Sequence, residues 1–269
     1  MLTLKESLIL IENLEIPSVH LERKVKVDCY LPLNVASPED MELLLINDGQ
    51  DLLKMNFESL LNRHYETGSI RPVLCVGIHC GPERKMEYGT KSEADFKGRG
   101  AKAPKYTRFI FEELIPLIKK NYHLPQIKQK AFAGFSLGAL SALDIVWNHP
   151  TEFSIAAVFS GSLWWRSRDQ HEEGYDDDTD RIMHQLIRKG RKHPGLKFFF
   201  ECGMLDEQKD RNQNGIIDSI DDTMDLIEEL RDKGYSDNDI EFLLLHDGKH
   251  DVETWGRAMP AFLKWAYAL

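Results

Sequence analysis

Lys130-Ala131-Phe132-Ala133-Gly134-Phe135-Ser136-Leu137-Gly138-Ala139-Leu140 is the stretch that decides the fold. Lys130–Ala133 reads as a buried strand and Leu137–Trp147 as a helix, so Ser136 falls on the turn between them. The turn has the form G-x-S-x-G. A serine on a sharp strand-to-helix turn sits in strained backbone, and flanking glycines let strand and helix approach closely. The helix N-terminus behind it offers N–H groups and the positive end of the helix dipole. A glycine-rich turn with a capping serine is the plainer reading, but it does not account for the strand before and the helix after.

Outward from this segment, short apolar runs alternate with amphipathic stretches. Strands are expected at Leu8–Ile11, Lys24–Leu31, Leu43–Ile46, Val73–Ile78, Ile155–Phe159, Leu196–Phe200 and Glu241–Leu245. The later runs are almost continuously apolar, as strands buried on both faces of a parallel sheet are. Helical periodicity covers Tyr106–Lys120, Asp180–Lys189, Asp221–Lys233 and Val252–Tyr267. Two early strands followed by βα alternation predict one α/β domain over residues 1–269, a mostly parallel central sheet with helices on both faces. Two polar stretches, residues 83–105 and 166–180, follow strands. They are expected near the sheet edge where such folds place their sites.

Composition narrows the function classes. The chain has 269 residues with 34 basic and 44 acidic side chains, a net charge of −10 at pH 7. That balance speaks against nucleic acid or an anionic membrane as main partner, since both attract a basic face. It leaves a small-molecule substrate open. Lys5, Glu6, Glu12 and Glu15 interrupt the N-terminal apolar residues, so no secretory signal is expected there. No run reaches the length of a membrane span. Four cysteines, Cys29, Cys75, Cys80 and Cys202, form no metal spacing and suggest a reducing, cytoplasmic setting.

A nucleophilic serine needs a base and an acid, which this type of sheet supplies in the order Ser, Asp or Glu, His. The last strand runs into His246-Asp247-Gly248-Lys249-His250-Asp251. His250 lies in the loop after the glycine, whereas His246 belongs to the strand end. The preceding strand ends in Glu201-Cys202-Gly203-Met204-Leu205-Asp206-Glu207. Asp206 is the expected acid, with Glu207 and Asp210 as rivals and Glu201 still within the strand. An oxyanion hole needs two backbone N–H groups. Leu137, after the serine, supplies one. Gln50, after the turn Asn47-Asp48-Gly49, supplies the other, an assignment that depends on the serine motif.

Five segments then resemble the putative esterase family of α/β-hydrolases, which includes the enterochelin esterases and esterase D. They are Asp48-Gly49-Gln50, Arg84-Lys85-Met86-Glu87-Tyr88, Gly134-Phe135-Ser136-Leu137-Gly138, Ser160-Gly161-Ser162-Leu163-Trp164-Trp165 and Gly248-Lys249-His250-Asp251. The likeness spans the chain from about Ser18 onward. It implies an α/β-hydrolase fold, the triad Ser136, Asp206 and His250, and an oxyanion hole of Gln50 and Leu137. It also implies substrate contacts from Arg84, Tyr88, Trp164 and Trp165. Two adjacent tryptophans cannot both face one pocket from a strand. No cofactor is implied, and the substrate implied is a small-molecule ester of a kind the motifs do not name. An acyltransferase on the same triad and a non-catalytic binding domain of this fold are the alternatives.

Asp210-Arg211-Asn212-Gln213-Asn214-Gly215-Ile216-Ile217-Asp218-Ser219-Ile220-Asp221 has the spacing of a calcium loop. Oxygen side chains occupy positions 1, 3, 5, 9 and 12, with glycine at 6. Asp210, Asn212, Asn214, Asp218 and Asp221, with the Ile216 carbonyl, are the expected ligands of a structural Ca2+. The competing reading is a turn at Asn214-Gly215 followed by a capping box at Ser219–Asp222.

Overall fold

A computed structural model describes residues 7–33, 35, 41–124 and 126–269; Lys5 and Glu6, read above, lie outside them. Eight strands form one sheet: β1 (Ile9–Ser18), β2 (Arg23–Pro32), β3 (Glu42–Asn47), β4 (Val73–Ile78), β5 (Lys130–Phe135), β6 (Ile155–Phe159), β7 (Lys197–Leu205) and β8 (Ile240–Lys249). Their spatial order is β1-β2-β4-β3-β5-β6-β7-β8. β2 runs antiparallel to both β1 and β4, and β3 to β8 are mutually parallel. The helices are α1 (Phe57–Glu66), α2 (Arg84–Glu87), α3 (Ala103–Arg108), α4 (Ile115–Asn121), α5 (Leu137–Asn148), α6 (Asp177–Asp180), α7 (Ile182–Lys189), α8 (Asp218–Asp232) and α9 (Val252–Tyr267). A turn of π-helix, Phe109–Leu114, joins α3 to α4.

The period of two along each strand divides the core. Leu43, Leu45, Phe132, Val158, Phe198 and Phe200 face one way, into a layer with α5, α7 and α8. Leu44, Ile46, Ala133, Phe135, Phe159 and Phe199 face the other, against α1 and α9. Both faces of the central strands are therefore buried, which is why their sequences are unbroken apolar runs. This is the α/β-hydrolase fold, a mostly parallel sheet with helices on both sides.

From β3 the chain crosses outward to β4, while β5 starts the march the other way. The strand order thus reverses between β3 and β5, which are paired neighbours. A crevice opens beyond the carboxyl ends of strands at such a reversal. Asp48–Gln50 follow β3 and Ser136 follows β5, so the switch point carries both.

Several elements differ from the sequence expectation. β1 extends seven residues beyond Ile11, pairing with β2 all the way to Ser18 opposite Arg23. Glu12, Asn13 and Glu15 hide it because an edge strand tolerates polar side chains. α1 was not expected, although Phe57 and Leu61 mark its buried face. β7 and β8 run on to Leu205 and Lys249 as a ribbon with an irregularity between Gly203 and Leu205. There the apolar run is broken by Glu201 and Gly203, and Met204 and Leu205 are exposed because the ribbon leaves the layered core. The expected helix from Asp180 is broken by Arg181, whose extended backbone separates α6 from α7. Residues 83–105 are less solvated than their charge suggests: Glu87 is buried and bound at both oxygens by Arg23, each at 2.7 Å.

Candidate active site

Ser136 has φ 54° and ψ −121°, a backbone conformation that L side chains rarely adopt. It holds because the surroundings over-determine it. The Ser136 N–H donates to the Phe159 carbonyl at 2.9 Å, and its carbonyl accepts from Ser162 and Ala139, each at 3.1 Å. A Cβ on Gly134 would sit 2.3 Å from the Gly138 carbonyl oxygen, and one on Gly138 would sit 2.6 Å from Asp48 Oδ2. Both glycines are therefore set by close approach, the first of strand to helix and the second of helix to the β3 loop. Ser136 itself is half-buried, and its Oγ lies 3.4 Å from Ser162 Oγ. Leu137 opens α5, so its N–H has no intrahelical acceptor.

The loop after β3 is built on Asp48, whose φ is 59°. Arg84 donates from Nε to Asp48 Oδ1 and from Nη2 to Oδ2, both at 2.7 Å. The Asp48 N–H donates to Tyr88 Oη at 3.2 Å. Asn47 donates to the Gly138 carbonyl at 2.7 Å and accepts from Tyr106 Oη. The Gln50 side chain is held on both sides, accepting from the Cys80 N–H at 3.1 Å and donating to Asp48. Arg84 and Tyr88 were expected to touch substrate. Tyr88 instead has no exposed surface, and Arg84 spends its fork on Asp48 while lying over the Tyr88 ring. Their observed place is against Asp48, in the loop that follows β3.

Asp206 and His250 sit at the tips of the β7–β8 ribbon. Gly203 and Gly248 pack backbone to backbone there: a Cβ on Gly203 would meet the Gly248 carbonyl carbon at 2.4 Å. Asp206 then turns back over its own strand, its Oδ1 2.7 Å from that same Cβ position. His250 Nδ1 lies 3.9 Å from Asp206 Oδ2, and the Asp206 carboxylate is wholly buried while His250 is partly exposed. The imidazole stands edge-on to Trp255 at 5.3 Å, and Trp255 stacks on Phe135 at 5.1 Å. Two ring contacts thus connect the imidazole to the residue before Ser136. Among the described residues no hydrogen bond joins Ser136 to His250. Such bonds are often long in a ligand-free site.

Trp165 is fully buried under Gly89 and Gly100, whereas Trp164 is half-exposed. Trp164 lines a groove of about 270 Å³ with Phe96, Lys97, Arg99, Arg166 and Lys209. Glu207 and Asp218 lie on its other wall. Glu207 adjoins Asp206, and Trp164 is two residues from Ser162, so the groove borders these segments, although Ser136, Asp206 and His250 do not line it. Arg99 covers both indoles, at 4.8 Å and 5.6 Å from their centroids. Wider cavities of about 600 and 800 Å³ lie along α7 and beside Arg211, and neither touches Ser136, Asp206 or His250.

The loop at 210–221 folds onto its own donors. Asp210 accepts the N–H groups of Asn214 and Gly215, and Asp221 Oδ2 accepts from Asn212 and Asn214 at 2.7 and 2.8 Å. Asp218 is drawn out of the set, since its Oδ1 takes the Arg211 N–H at 2.8 Å and lies 3.4 Å from the guanidinium. The expected capping box is not formed. α8 starts after Ile217, and Ser219 Oγ is buried without a partner. Among the described residues no group of three or more His, Cys, Asp or Glu side chains is placed to hold a metal ion.

Sequence reading passed over Ser162, Asn47 and Trp255, which contact Ser136, the helix behind it and the His250 imidazole. Ser162 was legible as part of a motif without a role. The other two have no local signature, because their partners come from distant strands.

Residues 18–266 match the family model described as putative esterase. Among solved structures, the enterobactin esterase of Shigella flexneri with enterobactin superposes with a TM-score of 0.73 at 20% identity. That match covers 95% of this chain and 58% of the esterase, so the chain spans little more than half of that protein. An IroE-like serine hydrolase from Shewanella oneidensis gives 0.69 at 18% identity, covering 95% of this chain and 79% of that one. The siderophore hydrolase EstB of Aspergillus nidulans gives 0.66 at 16%, covering 98% and 97%. No curated protein sequence matches the chain.

Proposed function

Because the chain belongs to the putative esterase family, a family of carboxylic ester hydrolases, we propose that it cleaves a carboxylic ester through an acyl-Ser136 intermediate. Asp206 accepts the Nδ1–H of His250, which leaves Nε2 free as the base. His250 takes the Ser136 proton as Oγ attacks the ester carbonyl. The N–H groups of Gln50 and Leu137 stabilise the oxyanion. The protonated imidazole gives its proton to the leaving alcohol, and water, activated by the same nitrogen, releases the acid. The observation that carries this reading is Ser136 at φ 54° on the head of α5, with acid and base on the adjoining ribbon. A fluorophosphonate should label Ser136, and Ser136→Ala should lower ester hydrolysis by roughly 10³-fold or more while the fold persists. Undiminished activity in a clean Ser136→Ala preparation overturns it.

The flanking groove supports an ester with an aromatic, anionic part. Trp164 and Phe96 offer ring faces, and Lys97, Arg99, Arg166 and Lys209 outnumber Glu207 and Asp218. The net acidity of the chain is thus not the charge of its groove. The structural neighbours include an enterobactin esterase and a ferulic acid esterase, in keeping with this reading.

The loop at 210–221 is a second candidate site. Asp210, Asn212, Asn214 and Asp221 converge, but the Asn212 and Asn214 oxygens already accept the N–H groups of Asn214 and Ile216, so a Ca2+ ion would have to displace these bonds and draw the four side chains and the Ile216 carbonyl around itself. Two carboxylates would balance the charge of one Ca2+. Asp218 is excluded from this set by Arg211.

A further inference from the structure

Glu201 lies in β7 with no exposed surface, and nothing in the mechanism above uses it. Side chains at i and i+2 of a strand share a face. Glu201 and Gly203 are such a pair, and Asp206 Oδ1 occupies the space beside the missing Gly203 side chain. The two carboxyl groups therefore occupy successive positions on one face of β7. Both oxygens of Asp206 and one oxygen of Glu201, Oε1, are buried without a hydrogen-bond partner.

The donors around them fix a direction. Trp255 Nε1–H can only donate, and it does so to Ser160 Oγ at 2.9 Å. Ser160 Oγ, having accepted, has its own proton free for Glu201 Oε2 at 3.5 Å. With the Ser160 proton directed there, one of the two arrangements a hydroxyl allows, Glu201 Oε2 is an acceptor. The proton of a neutral Glu201 then goes on Oε1, and the unpaired oxygens of Asp206, on the same face of β7, are the acceptors available to it.

We propose that Glu201 is a positioning residue of the esterase site, a neutral carboxylic acid that donates from Oε1 to the Asp206 carboxylate and holds it toward His250. The proposal rests on the triad reading given above. Burial, and next the negative charge of Asp206, push the Glu201 carboxyl up to about 8, so it keeps its proton at neutral pH. The opposing groups are the Ser160 hydroxyl and N–H, and Arg257 of α9, whose guanidinium is engaged by Asp247. Cys202 beside it is held neutral by burial. Above about pH 8 Glu201 ionises. The donor is lost, a second negative charge faces Asp206, and the imidazole is left less well aligned.

The test compares pH profiles of kcat/KM for a p-nitrophenyl ester. Wild type should lose activity above about pH 8. Glu201→Gln donates from an amide at every pH. It should be about threefold slower at pH 7 and flat through the alkaline range, whereas Glu201→Leu should be slower by about thirtyfold throughout. An unchanged alkaline limb in Glu201→Gln overturns the proposal, as does a loss equal to that of Glu201→Leu. Infrared spectroscopy gives a readout independent of turnover. Wild type minus Glu201→Gln at pH 7 should show a protonated carboxyl band, the subtraction removing the contribution of Asp144 of α5, whose carboxyl burial pushes up to about 7. Its absence in wild type also overturns the proposal. If Ser136 fails to take the fluorophosphonate while the band is present, the triad reading fails instead.

Discussion

Arg84 grips the carboxylate of Asp48 at both oxygens, and Asp48 in turn fixes the loop that presents the Gln50 N–H. The Asp48 side chain is almost wholly buried, so its charge depends on this one fork. Lysine is a point charge and cannot reproduce two parallel bonds. Arg84→Lys should therefore lower kcat by about tenfold to a hundredfold with little change in KM, because an oxyanion donor acts mainly on the transition state. Steady-state kinetics decide it. A raised KM at constant kcat would mean that Arg84 meets the substrate directly.

The ribbon tip distinguishes the acid from its neighbour. Asp206 is buried within 3.9 Å of His250, while Glu207 belongs to the groove wall. Asp206→Asn should reduce kcat by about 10³-fold or more, and Glu207→Gln by less than tenfold. The reverse order of damage would move the acid to Glu207.

The charge of the groove is testable against the substrate. Arg166→Gln and Lys209→Gln should each raise KM severalfold for an ester bearing a carboxylate or phenolate. For the neutral ester of the same acid, KM should hardly change. Added salt should erase the difference, since exposed charges are screened within about 10 Å at 0.1 M. Equal effects on both esters would remove the charge from the recognition.

Calcium binding to the 210–221 loop predicts a higher melting temperature. At a hundredfold excess over Kd the folded state gains about 2.7 kcal/mol. Asn214→Ala should abolish the shift, whereas Asp218→Asn should leave most of it, because Asp218 is held by Arg211. Coincident melting curves in calcium and in chelator would leave a hydrogen-bonded turn.

The sequence shows much of this molecule because burial on both faces writes long apolar runs, and β3 to β7 are all marked that way. The strand-turn-helix setting of Ser136 was legible from spacing, since the close approaches at Gly134 and Gly138 admit only glycine. The places of Asp206 and His250 at the ends of β7 and β8 were legible from strand order. What could not be read is contact between distant segments. Tyr88 looks like an aromatic on a polar loop, and only the fold shows that Asp48 and Trp165 close over that loop. Glu201 looks like one more strand residue, because no local pattern records that Asp206 folds back beside it. Asp218 fits the calcium spacing, yet the guanidinium of its near neighbour Arg211 claims it.

The backbone contact between Gly203 and Gly248 has a mechanical consequence. Acid and base hang from a single short lever, clamped where two side chains are missing. A flexing of that lever carries carboxylate and imidazole together, so their mutual alignment survives while the gap to the serine widens or narrows. In the proposed mechanism a shift of the ribbon tip would therefore change the serine–imidazole separation before it changed the acid–base alignment, and the contact that sets that tip is made of two glycines rather than of any side chain beside the ester.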